Sequence, residues 1–400
     1  MKRVLIVATL LLSSLFADED LGGLGSYLST LRSQYFDYEE RLNALESDML
    51  RKSWVNPIML NYSYTTDNQL LSGDLKMETL GINIDQPIFK SGGILYAVKY
   101  ANSAEVAKAL GIYKQKRALV IQLLNTLYDL RKLKLQKRQI KLMIKSDNID
   151  IKRKKEQYLA GAIDSSFINQ AILKRNQDKT KLLSLELDEQ RLKNIFATLS
   201  DKNPDRLKLP KLKLIKKGEY KKSHLDIASD MADVEMKEYS KKMTLSKYLP
   251  TVSIKANYAK VHSNMPNPTT RDSYHTLGLG ISMPININAP KDIEKARVAH
   301  LKSMIKLQDD LKKVDNEYKL IVKTIRLMDK KIALAKSGER LYRSLLKSTR
   351  EQFRAGNKTK LDVKMMKNSL QIAKFERLIY QVERQKQILR LYENTKRGKR

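Results

Sequence analysis

Glu156-Gln157-Tyr158-Leu159-Ala160-Gly161 is repeated as Glu351-Gln352-Phe353-Arg354-Ala355-Gly356. Outward from this pair the agreement continues. Thr79-Leu80-Gly81-Ile82 returns as Thr276-Leu277-Gly278-Leu279, Pro87 as Pro284, and Asn56-Pro57 as Leu249-Pro250. The offsets of 195, 197 and 193 residues keep the same order, which makes the chain a tandem repeat. Each Ala-Gly pair ends a long helix-forming run, and each is read as a tight chain reversal.

Both halves follow one plan. A lead-in helix (about 24–54, then 223–248) precedes a hairpin (57–89, then 250–286). A very long helix follows (92–159, then 290–354), and after the reversal a shorter helix returns (163–199, then 358–395). This predicts a signal segment at 1–17, a first repeat at 18–199, an irregular linker at 200–222 and a second repeat at 223–400. Pro204, Pro210 and Gly218 break the helical pattern in the linker. A continuous 92–159 helix would be roughly 100 Å long at about 1.5 Å per residue. Leu123, Leu124, Leu127, Leu130, Leu133 and Leu135 supply its apolar stripe.

The hairpins alternate with period two. Leu80, Ile82 and Ile84 oppose Thr79, Gly81, Asn83 and Asp85, while Leu277, Leu279 and Ile281 oppose Thr276, Gly278, Gly280 and Ser282. One apolar and one small polar face suits the wall of a membrane barrel, and equally a half-buried soluble hairpin. Topology separates the two readings. Four strands cannot close a barrel, and an open edge in lipid would leave N–H and C=O groups unpaired. Strands that enter a membrane therefore require several chains: two would make a filled eight-stranded barrel, three a twelve-stranded one with room for a pore. An export duct favours three.

Composition narrows the class. Lys2 and Arg3, the apolar run Val4–Leu12 and Leu15-Phe16-Ala17 read as an export signal, too short for the roughly 20 residues of a spanning helix. There is no Cys for disulfides or lipid attachment. With 77 Lys and Arg against 44 Asp and Glu, the formal charge is +33. Nucleic-acid binding is not the preferred reading, because the bases are interleaved with acids along helices. The densest run, Lys152-Arg153-Lys154-Lys155, lacks an aromatic platform and reads as a solvated helix face. His224, His262, His275 and His300 show no metal-ligand spacing, and no phosphate loop or nucleophile elbow is present. The sequence thus predicts no enzyme, no cofactor and no metal.

Ile84-Asp85-Gln86-Pro87-Ile88-Phe89-Lys90-Ser91-Gly92-Gly93 resembles the strand-to-helix junction of TolC-like outer-membrane efflux proteins, and Tyr248-Leu249-Pro250-Thr251-Val252 their Leu-Pro lead into the second hairpin. The second junction, Met283-Pro284-Ile285-Asn286-Ile287-Asn288, lacks the double Gly. The resemblance covers nearly the whole mature chain. It implies a mainly α protomer with two β-hairpins, a homotrimer with a twelve-stranded outer-membrane barrel, and an α-helical tunnel through the periplasm. The implied partners are a periplasmic adaptor, an inner-membrane pump or ABC transporter, and outer-membrane lipid; no nucleic acid is implied. The implied role is the exit duct of a tripartite efflux or type I secretion system.

In such proteins the helix reversals form the gate. The resemblance puts Asp362 at an acidic ring position, Lys358 at a basic linking position and Met365 where a second acid would stand. Phe353, Gly356 and Gly161 belong to the reversals, and Phe167 replaces an acidic linking partner. Asp362 reads equally well as a dipole-favoured acid in a first helical turn. Leu80, Ile82, Ile84, Leu277, Leu279 and Ile281 become the lipid-facing set. The alternative reading is an exported periplasmic helical adaptor or scaffold without a channel.

Overall fold

A computed structural model of the chain describes residues 24–68, 73–264 and 271–396; the signal segment expected at 1–17 lies outside them. The described chain is mostly helical, with one small sheet. The helices are α1 (Thr30–Arg51), α2 (Gly93–Leu159), α3 (Ser165–Leu199), α4 (Lys217–Lys222), α5 (Leu225–Ser246), α6 (Ala289–Arg354) and α7 (Lys360–Glu393). The strands are β1 (Met59–Asp67), β2 (Leu75–Phe89), β3 (Thr251–Ser263) and β4 (Ser273–Ser282). No described helix is long and apolar enough to cross a membrane. The chain divides into two compact units, one holding the sheet and the other both helix reversals.

The sheet unit comprises Tyr38–Ile112 and Asp226–Asp310. Its strands run β1-β2-β3-β4, all antiparallel, so the central β2–β3 ladder joins the two repeats. β2 starts at Leu75, earlier than the alternation predicts, because Leu75–Glu78 find ladder partners on β1. β4 stops at Ser282, short of the expected 286. Pro284 has no N–H to give a ladder. Pro87 is tolerated in β2 because it lies past the last β1 pair, Met59 with Asn83, at a register shift against β3. On the helical side small residues bring α1 and α2 together: Ser47, Ala101 and Ser103 are buried. Arg51 pairs with Glu105 and donates from Nε to Asn102 at 2.7 Å.

The two junctions into the long helices use different chemistry. The first turns through Ser91 and Gly92 at positive φ (46° and 83°). The second reaches the same helix start without such residues: the Asn286 side chain accepts from the Asn288 amide at 2.8 Å, and its carbonyl from the Ala289 amide at 3.0 Å. An Asx turn here replaces the double glycine.

In the other unit the predicted α2 stripe, Leu123 to Leu135, is buried together with Ile321 and Ile325 of α6 and Ile388, Leu389 and Leu391 of α7. Residues 201–216 form no helix or strand, yet they are held down. Tyr128, Tyr318 and Tyr392 donate their hydroxyls to the carbonyls of Pro210, Ile215 and Lys213 at 2.5, 2.9 and 2.9 Å. Leu212 and Ile215 are buried beneath these straps. Three long helices thereby satisfy backbone groups that an irregular segment would otherwise leave open.

The reversals are built alike. The Gly161 amide bonds the Tyr158 carbonyl and the Ala162 amide the Gln157 carbonyl; Gly356 and Asn357 repeat this to Phe353 and Gln352. This is the Schellman end, and it needs left-handed residues, here Gly161 (φ 73°) and Gly356 (φ 80°). Open space surrounds both positions, so Gly161→Ala and Gly356→Ala should each cost only the backbone penalty, about 1–2 kcal/mol. Thermal unfolding of the purified protein checks this. Equal losses are expected, and a neutral substitution at either site would contradict the shared geometry.

Candidate functional site

The sheet places the six predicted strand residues on one face. Cross-strand partners point the same way, and the rows run Leu60–Ile82–Tyr258–His275, then Ile84–Ala256–Leu277, Ile254–Leu279 and Val252–Ile281. Leu80 joins Tyr62 one row further out. Leu277, Leu279 and Ile281 are 74–78% exposed in the single chain. The opposite face carries Asn83–Asn257–Thr276 and Asp85–Lys255–Gly278. Beyond Leu80 the apolar face ends in Glu78 beside His262. From Val252 to His262 β3 rises about 34 Å at roughly 3.4 Å per residue, or about 26 Å across a membrane at ~40° tilt. A barrel's apolar band is about 25 Å tall.

At the second reversal Asp362 is committed within its own chain. Its Oδ2 accepts from the Thr359 amide at 2.9 Å and hydroxyl at 2.8 Å, while the Asp362 amide donates back to Thr359 at 3.2 Å. This is a reciprocal capping box on α7. Its Oδ1 faces Arg153 Nη1 of α2 at 3.9 Å. The Thr359 bonds, then the charges of Lys358 and Arg153, hold its carboxyl below the usual range. The first-turn reading of Asp362 is therefore realised, and the side chain also faces a basic group of the other repeat.

Sequence reasoning missed Arg153 by treating 152–155 as one solvated face. Arg153 in fact pairs with Asp150 at 2.7 Å and looks toward Asp362. The Asp150 contact lies three residues away on the same helix, and only the pairing of long helices across repeats reveals the one to Asp362. Lys358 is exposed, Met365 is half-buried, and Phe353, Phe167, Tyr158 and Leu159 stand exposed around the reversals. Among the described residues no group of three or more potential ligands could hold a metal ion.

Two acid pairs lie away from the reversals. Asp147 of α2 is buried and faces Asp178 of α3, with Lys174 Nζ at 3.4 Å. The Oδ2 atoms of both acids meet no donor. Burial pushes the Asp147 carboxyl up, Lys174 opposes this, and Asp178 adds to it. The sheet unit holds a like arrangement, Asp230 with Asp310 and Lys306, where burial again pushes Asp230 up.

No profile of a known protein family matches the chain, and no curated protein is similar to it in sequence. Solved structures are similar in fold. The outer membrane protein VceC of Vibrio cholerae superposes with a TM-score of 0.72 at 14% identity, covering 90% of this chain and 92% of its own. The Campylobacter jejuni CmeC outer membrane channel gives 0.74 at 13%, covering 96% and 88%. The MtrE outer membrane channel of Neisseria gonorrhoeae, in its open state, gives 0.69 at 13%, covering 94% and 88%. The chain has the fold of these outer-membrane proteins.

The acid pair gives a pH prediction. Because the folded pKa of Asp147 is raised, its stabilising contribution is complete below the ordinary value of 3.8 and is lost as pH rises through the folded value. Asp178→Asn removes the facing carboxylate. It should raise the unfolding temperature at pH 7 and change it little near pH 4, as followed by thermal scans at both values. A gain at both would remove shared protonation as the cause.

Proposed function

We propose that this chain is one subunit of a homotrimeric outer-membrane duct, the exit channel of a tripartite efflux or type I secretion system. Three four-stranded sheets would close a twelve-stranded barrel in the outer membrane, and the long helices would form a tunnel in the periplasm. The observation that carries this reading is a surface that one chain leaves unfinished. β1 and β4 each have one neighbour and expose the other edge. On α6, Leu320, Leu327, Leu334 and Leu341 are exposed by 49–76% at heptad spacing, the pattern of a coiled-coil seam awaiting a partner. A copy of the same chain supplies both a strand edge and a helical seam. The shared fold with CmeC and MtrE supports the same reading.

In this assembly the face with Leu80, Ile82, Ile84, Leu277, Leu279 and Ile281 meets lipid. The reversals at Gly161 and Gly356, with Phe353, Lys358, Asp362 and Met365, face the periplasmic adaptor and the inner-membrane pump or ABC transporter, and gate the entrance. The subunit performs no covalent chemistry and needs no cofactor. Its cargo is small molecules, metal ions or proteins, chosen by the partners. Asp362, repeated three times at a narrow pore, would favour cations, and its contact with Arg153 would restrain the two repeats in the closed state.

Protein extracted in detergent from isolated outer membranes should have the mass of a trimer and resist carbonate and urea extraction; a soluble periplasmic monomer would instead support the scaffold reading. Leu327→Asp with Leu334→Asp should lower the trimer fraction at least tenfold, on the order of 1.4 kcal/mol or more per assembly step. In planar bilayers Asp362→Ala should weaken cation preference, and Arg153→Ala should raise basal conductance. Unchanged selectivity and conductance would remove both residues from the gate.

A further inference from the structure

Within the sheet unit, where the strands hand over to the long helices, lies a cleft of about 620 Å³. Its polar lining is basic and hydroxylic: Ser53, Lys90, Ser246, Lys247, Thr251 and Ser282, with no Asp or Glu among the lining residues. Trp54, the only Trp of the chain, forms one wall. Gly93 packs closely against the cleft wall: a Cβ there would sit 2.6 Å from Ser246 Oγ and 3.3 Å from Lys90 Cβ, so only glycine lets α2 start this near Ser246. Lys90 makes no ion pair among the described residues. Lys247 is 66% exposed, lies 3.8 Å from Asp292 and approaches the Tyr248 ring at 5.3 Å.

The position of this cleft relative to the apolar face is fixed by hydrogen bonds. Gln86 pairs across the sheet with Ile254 in the row of Leu279. Its side-chain amide donates to the Trp54 carbonyl at 3.3 Å, and its Oε1 accepts from the Asn56 amide at 3.0 Å. Trp54 is thereby tied to the helix-side end of the apolar face. An amphipathic indole at the edge of an apolar band, flanked by lysines whose stems are apolar and whose heads are charged, is the arrangement that meets a lipid headgroup layer. A volume of this size holds a small ligand.

We propose that this cleft binds the phosphate headgroup of an anionic glycerophospholipid from the periplasmic leaflet, with Lys90 and Lys247 on the phosphate and Trp54 against the upper acyl chain. The inference rests on the membrane-barrel reading above, and it adds a specific lipid site to a general lipid-facing surface. The hydroxyls of Ser53 and Ser246 already donate to the Leu50 and Met243 carbonyls at 2.7 and 2.9 Å, so Thr251 and Ser282 are the hydroxyls that offer further donors to phosphate or glycerol oxygens. A zwitterionic headgroup would bring its own cation to two lysines and lose much of the attraction, so anionic lipid is the occupant that the charges select. A lysine near an anionic lipid surface is worth roughly a fivefold factor in binding, about 1 kcal/mol.

The sole tryptophan makes the test direct. The full-length protein is reconstituted into phosphatidylcholine vesicles in which a minor fraction of lipid carries bromine on its acyl chain, either phosphatidylglycerol or phosphatidylcholine. Quenching of Trp54 by brominated phosphatidylglycerol should exceed that by brominated phosphatidylcholine. Lys90→Gln should lower the excess roughly fivefold, and Lys90→Gln with Lys247→Gln should abolish it while the trimer mass is retained. Native mass spectrometry of the detergent-extracted protein should show retained phosphatidylglycerol that the double variant lacks. Equal quenching by both lipids would overturn the headgroup site and leave the barrel reading intact. Quenching by neither would overturn the barrel reading itself. If inorganic phosphate alone removed the excess, the cleft would be a soluble-anion site and the lipid assignment would fall.

Discussion

Backbone N–H and C=O groups must be paired wherever water is absent, and this sheet pairs them on only one side of each outer strand. Met59–Asp67 bonds β2 alone and Ser273–Ser282 bonds β3 alone. In water such edges are solvated; against hydrocarbon each open group costs several kcal/mol. An apolar face spread across four strands pulls toward lipid, while the two edges forbid a lone chain from going there. The association with copies of itself proposed above would resolve the conflict, because the edge left open by β1 is complementary to the one left open by β4. The heptad of exposed leucines on α6 asks for the same partner by an independent route, burial of apolar surface in place of hydrogen bonding. That two unrelated forces call for one kind of neighbour is the main reason to read the chain as a subunit.

The duplication shows what the fold holds fixed. At both reversals the backbone bonds are the same, the left-handed glycine is the same, and the return helix starts at a side-chain cap. The caps themselves differ. Asp164 accepts from Ser166 at 2.6 Å, whereas Thr359 and Asp362 form a reciprocal box. Position 167, matching 362, is a phenylalanine. The same divergence separates the strand-to-helix junctions, glycine in one copy and an asparagine turn in the other. At the reversals main-chain geometry is shared and the side chains differ, whereas at the junctions the backbone itself differs. The reversal ends thus differ in where their acid sits: Asp164 is the cap itself at the first, with Phe167 three residues on, while at the second the cap is Thr359 and the acid is Asp362.

The large features were legible in the sequence because they are local or periodic. The Ala-Gly repeats located both reversals, period-two alternation found the four strands, and the α2 leucines named the buried stripe, all from neighbours along the chain. Errors gathered where partners are distant. The start of β2 depends on the ladder partners Tyr64–Asp67 of β1, and the end of β4 on a proline whose effect alternation does not register. The roles of Tyr128, Tyr318 and Tyr392 as straps on residues 201–216 carry no local signature, since a tyrosine's hydroxyl partner can lie anywhere in three dimensions. Arg153 was absorbed into a basic run for the same reason. Its charge has meaning only beside Asp150 and Asp362, one a helical neighbour and the other a residue of the second repeat.

Acids are scarce in a chain with a formal charge of +33, and sharing one among several bases offsets the repulsion. Individual carboxylates serve several bases at once. Asp315 meets Lys217, Lys221 and Lys319 at 2.6–2.8 Å, and these bonds hold its carboxyl well below the usual range. Glu189 lies between Lys137 and Lys193 and is held at about 2. Glu339 is shared by Arg343 and Arg377. Sharing makes the acids unequal to the bases in consequence. Losing one lysine leaves its acid still satisfied, whereas losing Asp315 turns three paired lysines on α4 and α6 into mutual repulsion at close range. The acids therefore sit at structural joints, and the lysines that no acid reaches are the ones released to meet something outside the chain. Lys90, at the end of the apolar face and with no carboxylate partner among the described residues, is of that kind.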